Sequence, residues 1–188
     1  MIVTKNDLKE YIEADSKRFG FINTPMNRFR QLLVDPMHWQ LPNWLLIKEL
    51  RYSEYYFNNR KKSLFYYLMF TYHIHKLQKL SLKTGIQIPL NVIGKGLAIW
   101  HYGSVVLGAT KIGEGFRCGT NTLIGKKTAD GSGPIIGDNV YLCTGSTIIG
   151  EVIIGDNVII APNSVVISNV PSNCLVGGSP AKIIKYYD

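Results

Sequence analysis

The sequence is poor in cysteine and histidine, poor in acid, and without a long apolar run. Only three cysteines, Cys118, Cys143 and Cys174, occur in 188 residues. Their odd number and their spacing argue against a disulfide framework or a structural zinc site and point to a reduced, cytosolic setting. There are four histidines. Two of them, His73 and His75, stand two apart and would face different ways on a helix, so no metal site is expected. The greasiest stretch, Leu64 to Met69 and on to Tyr72, falls far short of the roughly 20 apolar residues a spanning helix needs. The opening MIVTKNDLKEY has no apolar core of a secretory signal. Acidic residues number 13 against 21 basic ones.

The basic excess is uneven. Residues 1–85 carry 14 Lys/Arg against 7 Asp/Glu, and residues 86–188 carry 7 against 6. A basic front half suits a nucleic acid, a membrane surface or an acidic partner. No nucleic-acid-binding motif accompanies it, so the reading is a solvated helical surface with no nucleic-acid partner, and peripheral proximity to a membrane stays open. Apolar residues make up 46% of the chain, enough for a folded core.

Two regions follow from periodicity. Residues 1–85 read as a small α-helical N-terminal region. Thr4 and Asp7 form a capping pair before Leu8, Tyr11 and Ile12. Thr24-Pro25 opens a second helix that ends at Pro36, and further helices are expected around 43–58 and 63–82, the last stopping before Gly85. Tyr55, Tyr56, Phe65, Tyr66, Tyr67 and Tyr72 are expected to form the helical core and its contact with the second region.

From Ile86 the period becomes six. Taking every sixth residue from Val106 to Val166, ten of eleven are apolar, and glycine often comes next. The exception, Asp130, lies in KKTADGSG, residues 126–133, which has loop composition. Six fits neither a helix nor a simple strand. It fits short parallel strands joined by tight corners, three to a coil, stacked as a triangular prism of four to five coils. Before Val106 the spacing slips: Ile93, Ile99, Val106. The extra residue falls in WHYGS, where a bulged corner would aim His101 outward.

The repeats IIGDNV, IIGEV and IIGDNV, the closing GGSPAKII and the stretch IWHYGSVVLG resemble the hexapeptide-repeat acyltransferases. The likeness is to their serine acetyltransferase-like branch, particularly its relatives in polysaccharide biosynthesis. It covers residues 86–188 and is weaker in the preceding helices. The resemblance implies a mainly β chain, a left-handed parallel β-helix, assembled as a homotrimer with sites between neighbouring prisms and acetyl-CoA as donor. The activity it implies is O-acetylation of a sugar or glycan precursor; serine acetylation and a non-catalytic scaffold are the alternatives. His101 matches the family's catalytic histidine, and a histidine near its usual pKa of about 6.5 can accept a proton at cellular pH. Gly125, Lys126, Thr144, Ala161 and Lys182 match donor-binding positions.

The likeness has departures. Where serine acetyltransferases carry acidic residues near the histidine, this chain has Ile86 and Trp100, leaving Gln87, Asn91 or a backbone carbonyl to orient the ring. A second histidine, preceding a proline in the family, is replaced by Gly133 before Pro134. Glycine there is expected to leave room for an acceptor larger than serine. The loop 126–133 is expected to lie over the active-site region. Cys118 and Cys143 are not expected to form an acyl-enzyme.

Overall fold

The computed structural model describes residues 1–19 and 41–187. The helix expected from Thr24-Pro25 to Pro36 lies outside the described residues. Three helices precede the strands: α1 (Lys5–Arg18), α2 (Leu41–Asn59) and α3 (Leu64–Thr84). At the head of α1, Asp7 N–H donates to the Thr4 hydroxyl at 3.1 Å, and Asp7 Oδ2 accepts from the N–H groups of Thr4 and Val3. These bonds satisfy otherwise orphaned donors and hold the Asp7 carboxyl below the usual carboxylate range. Gly85 ends α3 in the left-handed conformation, which glycine adopts at no steric cost.

The rest is a left-handed parallel β-helix of three sheets. The first holds β1 (Ile86–Gln87), β3 (Val105–Leu107), β6 (Thr122–Gly125), β9 (Thr147–Ile149) and β12 (Val165–Val166). The second holds β4 (Lys111–Ile112), β7 (Ile135–Ile136) and β10 (Ile153–Ile154), extended by bridges at Ile93 and Val170. The third holds β2 (Ala98–Ile99), β5 (Arg117–Cys118), β8 (Tyr141–Leu142), β11 (Ile159–Ile160) and β13 (Cys174–Gly178). Its last edge is paired antiparallel by β14 (Ala181–Tyr186), so the tail folds back over the final coil.

Each sheet sends one column inward. On the third sheet it is Ile99, Cys118, Leu142, Ile160 and Val176, all buried and in register. On the first sheet the column is Leu107, Ile124, Ile148 and Val166. Val106, inward by the period, points outward, and Val105 and Leu107 face the core. The corner before β3 is therefore two residues longer than a regular one, and the next, from Leu107 to Ile112, is one shorter.

The triplet Gly-Asp-Asn explains itself at the corners between the second and third sheets. Asp138 and Asp156 carboxylates accept backbone N–H bonds of 2.7 Å from the coil before, those of Glu114 and Asp138 respectively. A Cβ on Gly137 would lie 2.2 Å from Asp156 Oδ1, so only glycine fits. Asn139 and Asn157 take positive φ, which asparagine tolerates. Their side-chain amides hand bonds down the edge, Asn139 to Asn157 at 3.3 Å and Asn157 to Asn173 at 2.8 Å.

The first coil has no coil above it, so its backbone groups need other partners. The helices supply them. Arg51, fully buried on α2, pairs with Asp15 at 2.8 Å and Glu54 at 3.0 Å, and donates to the carbonyls of Ile93 and Gly94. Asp15 accepts from the N–H groups of Gly96 and Leu97, and Glu54 from that of Asn91. Burial alone would lower the Arg51 pKa; the two carboxylates outweigh it and the pKa rises. Burial pushes the Glu54 carboxyl up.

The expected helical core is only partly right. Tyr55 is buried, and Tyr56 and Tyr66 are partly covered, but Phe65, Tyr67 and Tyr72 stand exposed. α3 turns one narrow stripe, including His73 and Leu77, toward α2. His73 lies flat between the rings of Tyr52 and Tyr56, at 5.2 and 5.0 Å, and bonds Glu49. It has a structural role.

Candidate active site

His101 sits on the long corner between β2 and β3. Its φ is +66°, and its side chain is exposed. Seven non-glycine residues among those described take positive φ; six are asparagine and the seventh is His101. A left-handed residue other than glycine costs about 1–3 kcal/mol and persists only where its surroundings impose it.

Those surroundings come from all three helices. Asn43 on α2, fully buried, donates from Nδ2 to the Ile99 carbonyl at 2.9 Å. The Gly103 N–H donates to Thr84 O at 2.9 Å, and the Val105 N–H to Gly85 O at 3.1 Å, tying the far side of the corner to the end of α3. The Trp100 ring packs on Phe19, just past α1, at 6.5 Å. Sequence reasoning missed Asn43, Thr84 and Phe19; they lie too far along the chain for any local pattern to find them.

Beneath His101, one edge runs down the prism between the third and first sheets. Thr144 stands on it in the third coil, exposed, and Ala161 in the fourth, half-buried. Lys182, on β14, lies opposite Gly177, which adjoins Ala161. With coils about 4.8 Å apart, the line from His101 to the tail runs about 19 Å. Gly125 and Lys126 are elsewhere. Gly125 ends β6 and Lys126 follows it, at the opposite edge of the first sheet, some 15 Å from this line at about 3.3 Å per residue.

The loop 126–133 leaves that same far edge and is bonded within its own prism. Ser132 N–H donates to Glu151 at 2.9 Å, and Gly133 N–H to Thr110 Oγ1 at 2.9 Å. It therefore does not cover His101 of its own chain, and can lie over an active site only where a neighbouring prism brings its His101 to this edge. Nor does Gly133 open space. A Cβ there would come within 2.7 Å of the Gly108 carbonyl oxygen and 2.9 Å of the Thr110 nitrogen, so the neighbouring coil fills the place of a side chain.

The candidates for orienting His101 also thin out. The two positions without the expected carboxylate are Ile86, buried in the core, and Trp100, packed on Phe19; of the candidates themselves, Gln87 stands exposed on β1 opposite Val106. Asn91 lies at the edge between the first and second sheets and exchanges side-chain bonds with Asn58 at 2.9 Å. Burial pushes the Cys118 thiol up to about 12 and raises that of Cys143, so neither offers a ready thiolate. Among the described residues, no group of three or more His, Cys, Asp or Glu is placed to hold a metal.

Residues 133–168 match the family model described as bacterial transferase hexapeptide (six repeats). The prism is built of hexapeptide repeats. Serine acetyltransferase 4 of Arabidopsis thaliana is 38% identical over 109 residues, 55% of this chain and 30% of that protein. The chain spans 30–38% of the length of the curated relatives it matches. The hexapeptide prism and its helices together resemble solved structures. One is a serine acetyltransferase of Neisseria gonorrhoeae, with TM-score 0.73, 24% identity, and coverage of 97% of this chain and 68% of that one. Another is a Brucella abortus serine acetyltransferase in complex with coenzyme A, with TM-score 0.69, 18% identity, and coverage of 98% and 70%. At such identities the likeness to the solved structures is one of fold. Each of these proteins is named a serine acetyltransferase.

Proposed function

We propose that the chain is an acetyltransferase that moves acetyl from acetyl-CoA to a hydroxyl, with serine as acceptor and His101 as general base. The observation that carries this reading is the left-handed backbone at His101, where the described prism otherwise uses asparagine or glycine. Strain imposed on an exposed histidine by three separate helices is the mark of a group held for chemistry.

The acceptor oxygen attacks the thioester carbonyl carbon as a ring nitrogen of His101 takes its proton. The tetrahedral intermediate collapses, the carbon–sulfur bond breaks, and the proton passes from His101 to the departing sulfur. The products are an O-acetyl ester and free coenzyme A, with the imidazole neutral again. Thr144 and Ala161 flank the donor's arm on the edge below His101, and Lys182 meets its phosphates as a point charge.

Gly125 and Lys126 join such a site only if the far edge of one prism faces the His101 edge of another. That far edge is rimmed by the exposed apolar residues Leu123, Ile135, Ile153 and Ile167. A head-to-tail contact of this kind closes into a ring when its rotation is a third of a turn, the arrangement a homotrimer requires. The test is release of free thiol from acetyl-CoA with serine, using His101→Ala as control. No serine-dependent release defeats the serine reading.

A second reading, a sugar hydroxyl as acceptor, is favoured by the departures from the serine acetyltransferase pattern. Gly133 offers no side chain to hold serine, and Ile86 and Trp100 supply no carboxylate. Thiol release with nucleotide sugars and not with serine selects it.

A further inference from the structure

α3 carries a surface that acetyl transfer does not use. From Arg60 to Thr84 the sequence holds six Lys/Arg and no acidic residue. Leu64, Phe65, Tyr67, Leu68, Tyr72 and Leu82 are each more than half exposed. Five of these six fall in the first half of the helix, on the side turned away from α2. Arg60, Lys61 and Lys62 stand immediately before that cluster, and Lys76, Lys79 and Lys83 follow it. A groove of about 550 Å³, lined by Leu68, Thr71, Tyr72, His75, Lys76 and Lys79, joins the apolar part to the basic part.

A contiguous exposed apolar patch on a folded chain marks an interaction surface. Here its chemistry selects the occupant. Leucine, phenylalanine and tyrosine side by side, bracketed by lysine and arginine, match the boundary between lipid headgroups and acyl chains, where aromatic rings settle and basic side chains reach anionic phosphates. A second copy of the same face would set cation against cation in either orientation, because no acidic residue lies on the helix to answer them. Nucleic acid would satisfy the charge and the rings but leave the leucines in water. Among the described residues no helix is long and apolar enough to cross a membrane, so the contact would be peripheral.

We propose that the outer face of α3 docks the protein onto an anionic phospholipid surface. Docking is independent of the acetyl-transfer reading, since it requires neither His101 nor an acceptor. Of the lysines involved, Lys76 is already paired with Glu49 at 2.8 Å, so Lys61, Lys62, Lys79 and Lys83 carry the attraction.

The full chain is sedimented with vesicles of phosphatidylcholine alone or mixed with phosphatidylglycerol. The expected result is binding that requires phosphatidylglycerol and weakens as salt rises. Lys61→Gln with Lys62→Gln lowers partition about fivefold per charge removed at low salt. Phe65→Ser with Leu68→Ser abolishes binding while the circular dichroism melt stays unchanged, both side chains being exposed. Equal sedimentation of wild type and both double variants overturns the proposal, as does no binding to the anionic vesicles. Two further outcomes also overturn it. One is concentration-dependent self-association, without lipid, that Phe65→Ser with Leu68→Ser removes; the other is binding of a single-stranded oligonucleotide in preference to vesicles.

Discussion

Asn43 and Ile99 are 56 positions apart in the chain, and the 2.9 Å bond between the Asn43 amide and the Ile99 carbonyl fixes the strand end from which His101 departs. The Asn43 Oδ1 atom is buried without a hydrogen-bond partner. A buried amide kept in spite of an unsatisfied oxygen is held for what its nitrogen does. Asn43→Ala is expected to lower kcat about tenfold, in keeping with the roughly 1–3 kcal/mol of a lost buried bond, and to leave the KM for acetyl-CoA within about twofold. Steady-state kinetics with a parallel thermal melt separate this from general unfolding. Unchanged turnover would show that the bond holds structure only.

His101 sets stability against chemistry. His101→Ala is expected to lower turnover by about 10² to 10⁴. His101→Asn is expected to be equally inactive yet to melt higher, because asparagine tolerates the left-handed backbone better than histidine does. Thermal denaturation of both variants beside the wild type checks this, and an asparagine variant that melts lower contradicts it.

Arg51 should be the most damaging single loss in the helices. Arg51→Ala leaves Asp15 and Glu54 buried without their cation, and the carbonyls of Ile93 and Gly94 without a donor. Breaking a buried pair in this way costs about 3–5 kcal/mol. Chemical denaturation gives the figure directly. A loss under about 1 kcal/mol would mean that water reaches the site.

Acid should loosen the contact between α2 and α3. Burial pushes the Glu49 carboxyl up, but its bonds to His73 and Lys76 together outweigh that and hold it below its ordinary value of 4.5. A depressed carboxyl lends stability that is complete above about pH 4.5 and lost as pH falls through the lower folded value. Glu54, raised by burial, runs the opposite way. Glu49→Gln is therefore expected to flatten the stability curve below pH 4.5, measured by urea midpoints across pH. An unchanged curve would exclude Glu49 as a source of acid sensitivity.

Gly133 tests the local packing. Gly133→Ala is expected to destabilise by about 1–3 kcal/mol through overpacking against the backbone of Gly108 and Thr110. Gly133→His is expected to cost at least as much without raising activity toward serine. A histidine variant that folds normally and gains serine turnover would reverse the account of this corner.

Much of the prism is legible because its rule is local. A hexapeptide fixes one inward side chain, one glycine and one corner, and the slip before Val106 discloses the bulge that bears His101. The period alone misses the register there by one residue because two irregular corners, one long and one short, nearly cancel in the spacing. The helices are legible from caps such as Thr4 and Asp7. Their attachment to the first coil is not, since Asp15, Asn43, Arg51 and Glu54 act on backbone groups far along the chain. Exposure misleads too: Phe65, Tyr67 and Tyr72 read as core because aromatic composition carries no direction.

The carboxylates and amides of Asp138, Asn139, Asp156 and Asn157 recur at 18-residue intervals, and each coil presents its successor with the same socket. Such a column can be lengthened by copying a whole turn, since the new turn finds its partners waiting above and below. It cannot absorb one or two residues at that corner without tearing every rung beyond. The six additional residues of the KKTADGSG loop sit at a different corner, outside the ladder, where added length leaves every rung in place.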